Sequence, residues 1–133
     1  SEEDQKLIDV TKESFFRGIQ FARAGRHLYE ISSAIQKYVE SNGFSIVREL
    51  VGHGIGREMH EDPQIPNFKP IGRGIKLCPG MTLAIEPMVN AGKRDIWILE
   101  DDWTVVTRDG SKAAHYENTI LITDGDPEIL SLA

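Results

Sequence analysis

The sequence predicts an α+β domain in which two N-terminal helices cover a curved, mainly antiparallel sheet. Three observations carry the prediction. Apolar residues in the first third recur every three or four positions, the period of a helix face. From Phe44 onward the apolar runs are short and β-rich, and turn residues separate them closely. Helical pattern comes first and strand pattern afterwards, the order of an α+β layering.

The first helix opens at Ser1, whose hydroxyl can cap a free amide. Glu2, Glu3 and Asp4 then suit the positive end of the helix dipole. Leu7, Thr11, Phe15, Ile19 and Ala22 form its apolar stripe, Ile8 and Phe16 widen it, and Gly25 closes it. A second helix is expected over residues 28–42, because Leu28, Ile31, Ile35, Tyr38 and Val39 make one face and Gly43 supplies a C-cap. Both helices have polar backs, so each should cover one face of a sheet. His27, at the junction, reads as a surface or capping residue.

Strands are expected at residues 44–48, 51–56, 81–89, 96–99, 103–107 and 113–123. Between the second and third of these, Asp62-Pro63, Ile65-Pro66 and Lys69-Pro70 predict a loop without regular structure. Turns at Cys78-Pro79-Gly80, residues 90–94, Asp101-Asp102 and Asp109-Gly110 join neighbouring strands, which indicates a curved antiparallel sheet.

The 133 residues make one domain with a real core, not two. With 40% hydrophobic and 27% charged residues, the composition is that of a soluble globular protein. A net charge of -6 repels phosphate backbones, so nucleic acid is not an expected partner. Cys78 is the single cysteine, which rules out an internal disulfide and favours a reducing compartment. The acidic start is the opposite of a signal-peptide head, and no apolar run approaches membrane-spanning length. The expectation is a cytoplasmic protein without a membrane partner.

The chemistry centres on residues 52–63, Gly-His-Gly-Ile-Gly-Arg-Glu-Met-His-Glu-Asp-Pro. Glycines let backbone approach a ligand closely, and His53 beside them can be aimed at a metal ion or a reacting carbonyl. Alone, this stretch reads as a glycine-rich turn with two surface histidines, His53 and His60. Two carboxylates change the balance. Glu86 lies in Thr82-Leu83-Ala84-Ile85-Glu86-Pro87-Met88, and Glu117 in Ala114-His115-Tyr116-Glu117-Asn118-Thr119-Ile120-Leu121. A carboxylate inside an apolar strand faces water, or is buried and paired with a cation. Two of them with His53 supply one nitrogen and several oxygens, a set that suits Mn, Fe, Co or Zn. Pro87 favours an extended backbone at Glu86.

Taken together, Gly-His-Gly-Ile-Gly…His-Glu-Asp-Pro, Ile-Glu-Pro-Met and Tyr-Glu-Asn-Thr resemble the methionine aminopeptidases of the bacterial type I form, in order and spacing along essentially the whole chain. Prolidases and aminopeptidases P, which share the pita-bread fold, usually have Glu-Pro-Gly where this chain has Glu86-Pro87-Met88. The resemblance implies half of a pita-bread fold and a metal-dependent aminopeptidase. Such an enzyme removes the N-terminal methionine of nascent proteins by metal-hydroxide attack, with two divalent ions in the intact enzyme. His53, Glu86 and Glu117 match the family's metal ligands, and Glu86 also relays protons. His60 matches the histidine that contacts the scissile amide. Met59 and Trp103 match positions that line the methionine pocket, although Met59 departs from the aromatic often found there. His115 shares a strand face with Glu117 and could ligate by spacing. The family does not use it so, and a hydrogen-bond partner of a ligand is the reading adopted.

The family's site also takes two aspartates and a further histidine from a segment without a counterpart here. The chain is therefore expected to be the C-terminal half of such an enzyme, with little or no activity alone. Its expected partner is the N-terminal half or a second copy, which would cover an open sheet edge. The alternatives are a non-catalytic binding module on the same scaffold and a prolidase- or aminopeptidase P-like exopeptidase. Keeping His53, His60, Glu86 and Glu117 together argues against the first, and Met88 with Trp103 against the second.

Overall fold

A computed structural model describes residues 2–48, 52–55, 61–92, 96–98, 105–107 and 112–130. Helix α1 spans Glu2–Ile19 and α2 spans Leu28–Ser41. Among the described residues ten short strands follow: β1 (Ser45–Ile46), β2 (Gly52–Ile55), β3 (Glu61–Ile65), β4 (Thr82–Ile85), β5 (Met88–Asn90), β6 (Ile96–Ile98), β7 (Val105–Thr107), β8 (Ala113–His115), β9 (Asn118–Leu121) and β10 (Glu128–Ile129). Every pairing is antiparallel. One sheet has five strands in the order β10-β9-β4-β2-β3, a second has three in the order β1-β5-β8, and β6 pairs with β7 alone.

The α2 boundaries follow its caps. The Glu30 carboxylate accepts the His27 backbone N–H at 2.9 Å, so the histidine at the junction caps the helix start. That hydrogen bond, more than the neighbouring Arg26 guanidinium, holds the Glu30 carboxyl below the usual carboxylate range. At the far end Gly43 turns the chain with φ +80 and donates to the Glu40 carbonyl at 3.0 Å. By contrast α1 stops at Ile19, short of Gly25. Phe21 and Ala22 continue in a tight turn, donating to Gly18 and Ile19 carbonyls three residues back. Ala22 is fully buried in that turn. The apolar period reported its burial, not a helix. Ile8 is exposed at 52% and does not widen the stripe; Val10, Thr11 and Ser14 take that face. The two buried hydroxyls are satisfied by carbonyls of their own helix, Leu7 and Thr11.

The helices cross where Gly18 meets Ile31 and Ile35; a Cβ on Gly18 would fall 2.8 Å from the Ile35 side chain. Phe15, Leu28, Ile31, Ile35 and Val39 then pack with Ile46, Ile65, Leu83, Ile85, Val89 and Ile120 from the sheets, making one core. Burial of this set is the main favourable term holding helices to sheets.

Residues 61–65 form a strand, where the prolines predicted loop. The pairing of β2 with β3 explains it. Gly52 pairs with Ile65 and His53 with Gln64, but Gly54 pairs with Glu61. Asp62 and Pro63 therefore fall in a bulge on the edge strand, where no ladder N–H is required of the proline.

The two longest strand patterns are each divided. Residues 82–90 break at Glu86-Pro87 into β4 and β5, and residues 113–121 break at Tyr116-Glu117 into β8 and β9. The first and last members of these pairs belong to different sheets. The register nevertheless runs through both breaks, from Ile85 opposite Asn118 to Met88 opposite His115. Pro87 has no N–H, and its carbonyl accepts that of Tyr116 at 3.1 Å. The strand pair passes from one sheet into the other, and Glu86 and Glu117 sit opposite each other at the passage.

Candidate metal centre

At this passage the backbone is held from both sides. Asn67 is fully buried in the segment after β3 and donates its side-chain amide to the Glu86 carbonyl at 3.0 Å. Beside Glu117, the Tyr116 ring packs against Phe15 and Phe16 of α1, with centroids 5.4 and 6.1 Å away. The Tyr116 hydroxyl accepts a hydrogen bond from Asn118 at 2.7 Å. Tyr116 thus pins the second strand to the helical layer, leaving its neighbour Glu117 on the exposed side.

The side chains of Glu86 and Glu117 meet. Glu86 is half-buried, and its carboxyl hydrogen-bonds to that of Glu117. Burial first, then the hydrogen bond and charge of Glu117, push the Glu86 carboxyl up to about 8. Glu86 therefore favours its protonated form while it faces Glu117 without a cation. A divalent cation would balance the charge of such a pair. His115 joins them: ligand atoms of Glu86, His115 and Glu117 all lie within 4.8 Å of one another. A mixed oxygen and nitrogen set of this kind fits a divalent transition metal.

His53 lies in β2, opposite Ala84 of β4 and Gln64 of β3. It is thus on the strand neighbouring the one that leads into Glu86. The approach of these strands depends on Gly52, where a Cβ would lie 2.3 Å from the Ala84 carbonyl oxygen. His60, Met59 and Trp103, the expected amide-contacting and pocket residues, lie outside the described residues.

The signature of metallopeptidase family M24 matches residues 1–124. The chain belongs to metallopeptidase family M24. Within M24 it is similar to a methionine aminopeptidase of Clostridium perfringens, at 60% identity over 132 residues, 99% of this chain and 53% of that protein. Methionine aminopeptidase 1 of Bacillus subtilis is 56% identical over 98% of this chain and 53% of its own length. Among solved structures, methionine aminopeptidase from Thermotoga maritima superposes with a TM-score of 0.95 at 50% identity, covering 100% of this chain and 53% of that one. The chain spans about half the length of the curated relatives it matches. The α+β half of the pita-bread fold expected from the motifs is the architecture observed. No helix among the described residues is long and apolar enough to cross a membrane.

Asn67 is a residue at the M24 site that no sequence pattern marks. It stands in the proline-rich segment expected to be loop, between Pro66 and Phe68. His115 is marked by its two-residue spacing from Glu117, but only the strand register brings it within metal-sharing distance of Glu86 as well.

Proposed function

We propose that this chain is the metal-binding half of a methionine aminopeptidase, with His53, Glu86 and Glu117 as ligands. The observation that carries the reading is the Glu86–Glu117 pair. Two carboxyls are brought face to face, within hydrogen-bond reach, at a strand passage fixed by Asn67 and Tyr116. A divalent ion of Mn, Fe, Co or Zn type, one or a pair, supplies Lewis-acid activation of water and of the substrate carbonyl. Glu117 offers two oxygens to the centre. Glu86, ionised once the cation is bound, would take up a proton from the attacking water and return it to the leaving amine. His60 donates to the scissile amide, and Met59 and Trp103 line the pocket for the methionine side chain.

The substrate class is the N-terminal peptide of newly made proteins, which sets the reaction in the cytoplasm. The remaining ligands come from a complementary half, as the length of the relatives suggests. That half, or a second copy of this chain, covers the edges of the five-stranded sheet. Retention of both glutamates favours chemistry over a pure binding role.

The test is release of methionine from a Met-Gly-type tripeptide with added Mn2+ or Co2+. The 133-residue chain alone is expected to be inactive. Mixing it with the complementary N-terminal segment of the Clostridium perfringens relative is expected to restore turnover that Glu117→Gln abolishes. Turnover by the pure chain, or complementation that survives Glu117→Gln, contradicts the assignment.

A further inference from the structure

We propose that the His115 imidazole is a direct ligand of the cation held by Glu86 and Glu117, so that one pair of strands carries a complete His/Glu/Glu site within this chain. The inference rests on the reading of Glu86 and Glu117 as ligands and goes beyond it, because the resemblance assigns His115 no metal.

The register places the three residues together. His115 and Glu117 are two apart on one chain, and so share a face. Glu86 sits across from Glu117, and Met88 across from His115. His115 is thus the diagonal neighbour of Glu86, a position that long side chains reach. The ligand atoms bear this out, all lying within 4.8 Å of one another. Two ligands at about 2.0–2.2 Å from one ion can be separated by at most about 4.0–4.4 Å. Small side-chain rotations close the difference, and both His115 and Glu117 are exposed enough to make them.

No competing role occupies the ring. Among the described residues the imidazole makes no hydrogen bond, so it is not held as the orienting partner of another side chain. An imidazole nitrogen beside two carboxylates converts a hard, all-oxygen pair into a mixed donor set. Such a set favours Zn, Co, Fe or Mn over Mg or Ca.

The probe is Mn2+, titrated calorimetrically into the 133-residue chain, with a cooperative thermal melt as the check on folding. Glu117→Gln and His115→Gln are each expected to weaken binding by about 10–100-fold, the range that loss of an orienting neighbour alone can also produce. Affinity therefore does not decide ligation. Nitrogen modulation in the pulsed EPR of bound Mn2+ does. In a His53→Gln background the modulation is expected to persist, and adding His115→Gln is expected to remove it. If His53→Gln alone abolishes the modulation while Mn2+ stays bound, His115 is no ligand and the inference falls. If the folded chain binds no Mn2+, the claim of a complete site within it falls. Unchanged affinity in both Glu86→Gln and Glu117→Gln instead overturns the underlying assignment of the metal centre.

Discussion

Glu86→Gln should make the metal-free chain more stable at alkaline pH while destroying its affinity for metal. The side-chain amide has the shape of a protonated carboxyl and can still donate to Glu117, so the variant mimics the low-pH state permanently. The wild-type group has a folded-state value pushed up to about 8, from an ordinary 4.5. A raised value means the folded chain binds the proton more tightly than the unfolded chain. The stabilisation is fully present below about 4.5 and is lost as pH rises through about 8. Two charges no more than 4.8 Å apart repel by about 0.9 kcal/mol with water-like screening, or by about 3.5 kcal/mol at an effective dielectric of 20. Glu86 is only half-buried and Glu117 is exposed, so solvent discounts the larger figure and about 1–2 kcal/mol remains. For a chain of this length that is roughly 3–10 °C in Tm. Thermal melts in a chelator at about pH 4 and about pH 9, on either side of the two values, make the assay. The two proteins should melt together at about pH 4, below the ordinary carboxyl value, and Glu86→Gln should melt higher at about pH 9. With Mn2+ at one hundred times its Kd, the wild type should gain about 2.7 kcal/mol and reverse the order. A wild-type pH slope retained in full by Glu86→Gln would refute the reasoning.

Gly52→Ala should cost stability near the upper end of the roughly 1–3 kcal/mol typical of overpacking, because the new methyl meets a backbone carbonyl that cannot rotate away; a denaturant melt within 0.5 kcal/mol of wild type, about the noise of such a change, would contradict it. Gly18→Ala meets the flexible Ile35 side chain instead, so a smaller loss of about 1 kcal/mol is expected in the same melt. Asn67→Ala leaves the Glu86 carbonyl without its donor, a loss of about 1–2 kcal/mol, and loosens the ligand. Calorimetry should register about tenfold weaker Mn2+ binding, where a purely structural Asn67 would leave affinity unchanged in the folded fraction.

Much of this arrangement is legible in the residues. The α2 limits follow from Leu28, Ile31, Ile35 and Val39 and from Gly43, because local propensity and burial agree there. The two carboxylates stand out because they interrupt apolar strands. Where local and tertiary forces part, the sequence misleads. Pro63 marks a breaker, but an edge strand with a bulge accommodates it. Residues 81–89 look like one strand because alternation and β-propensity continue through Glu86-Pro87, and only the pairing partners reveal the change of sheet. Ala22 fits a helical period yet is buried in a turn. Asn67 carries no pattern at all: its role exists only once a segment far away in the chain puts the Glu86 carbonyl beside it.

The central claim is that Glu86 and Glu117 converge on one divalent cation. An anomalous difference map from crystals of the chain soaked in Mn2+ tests it most directly. A peak bonded to carboxylate oxygens of both residues is the predicted result. A peak bound elsewhere, with the two carboxyls turned apart into solvent, would contradict it.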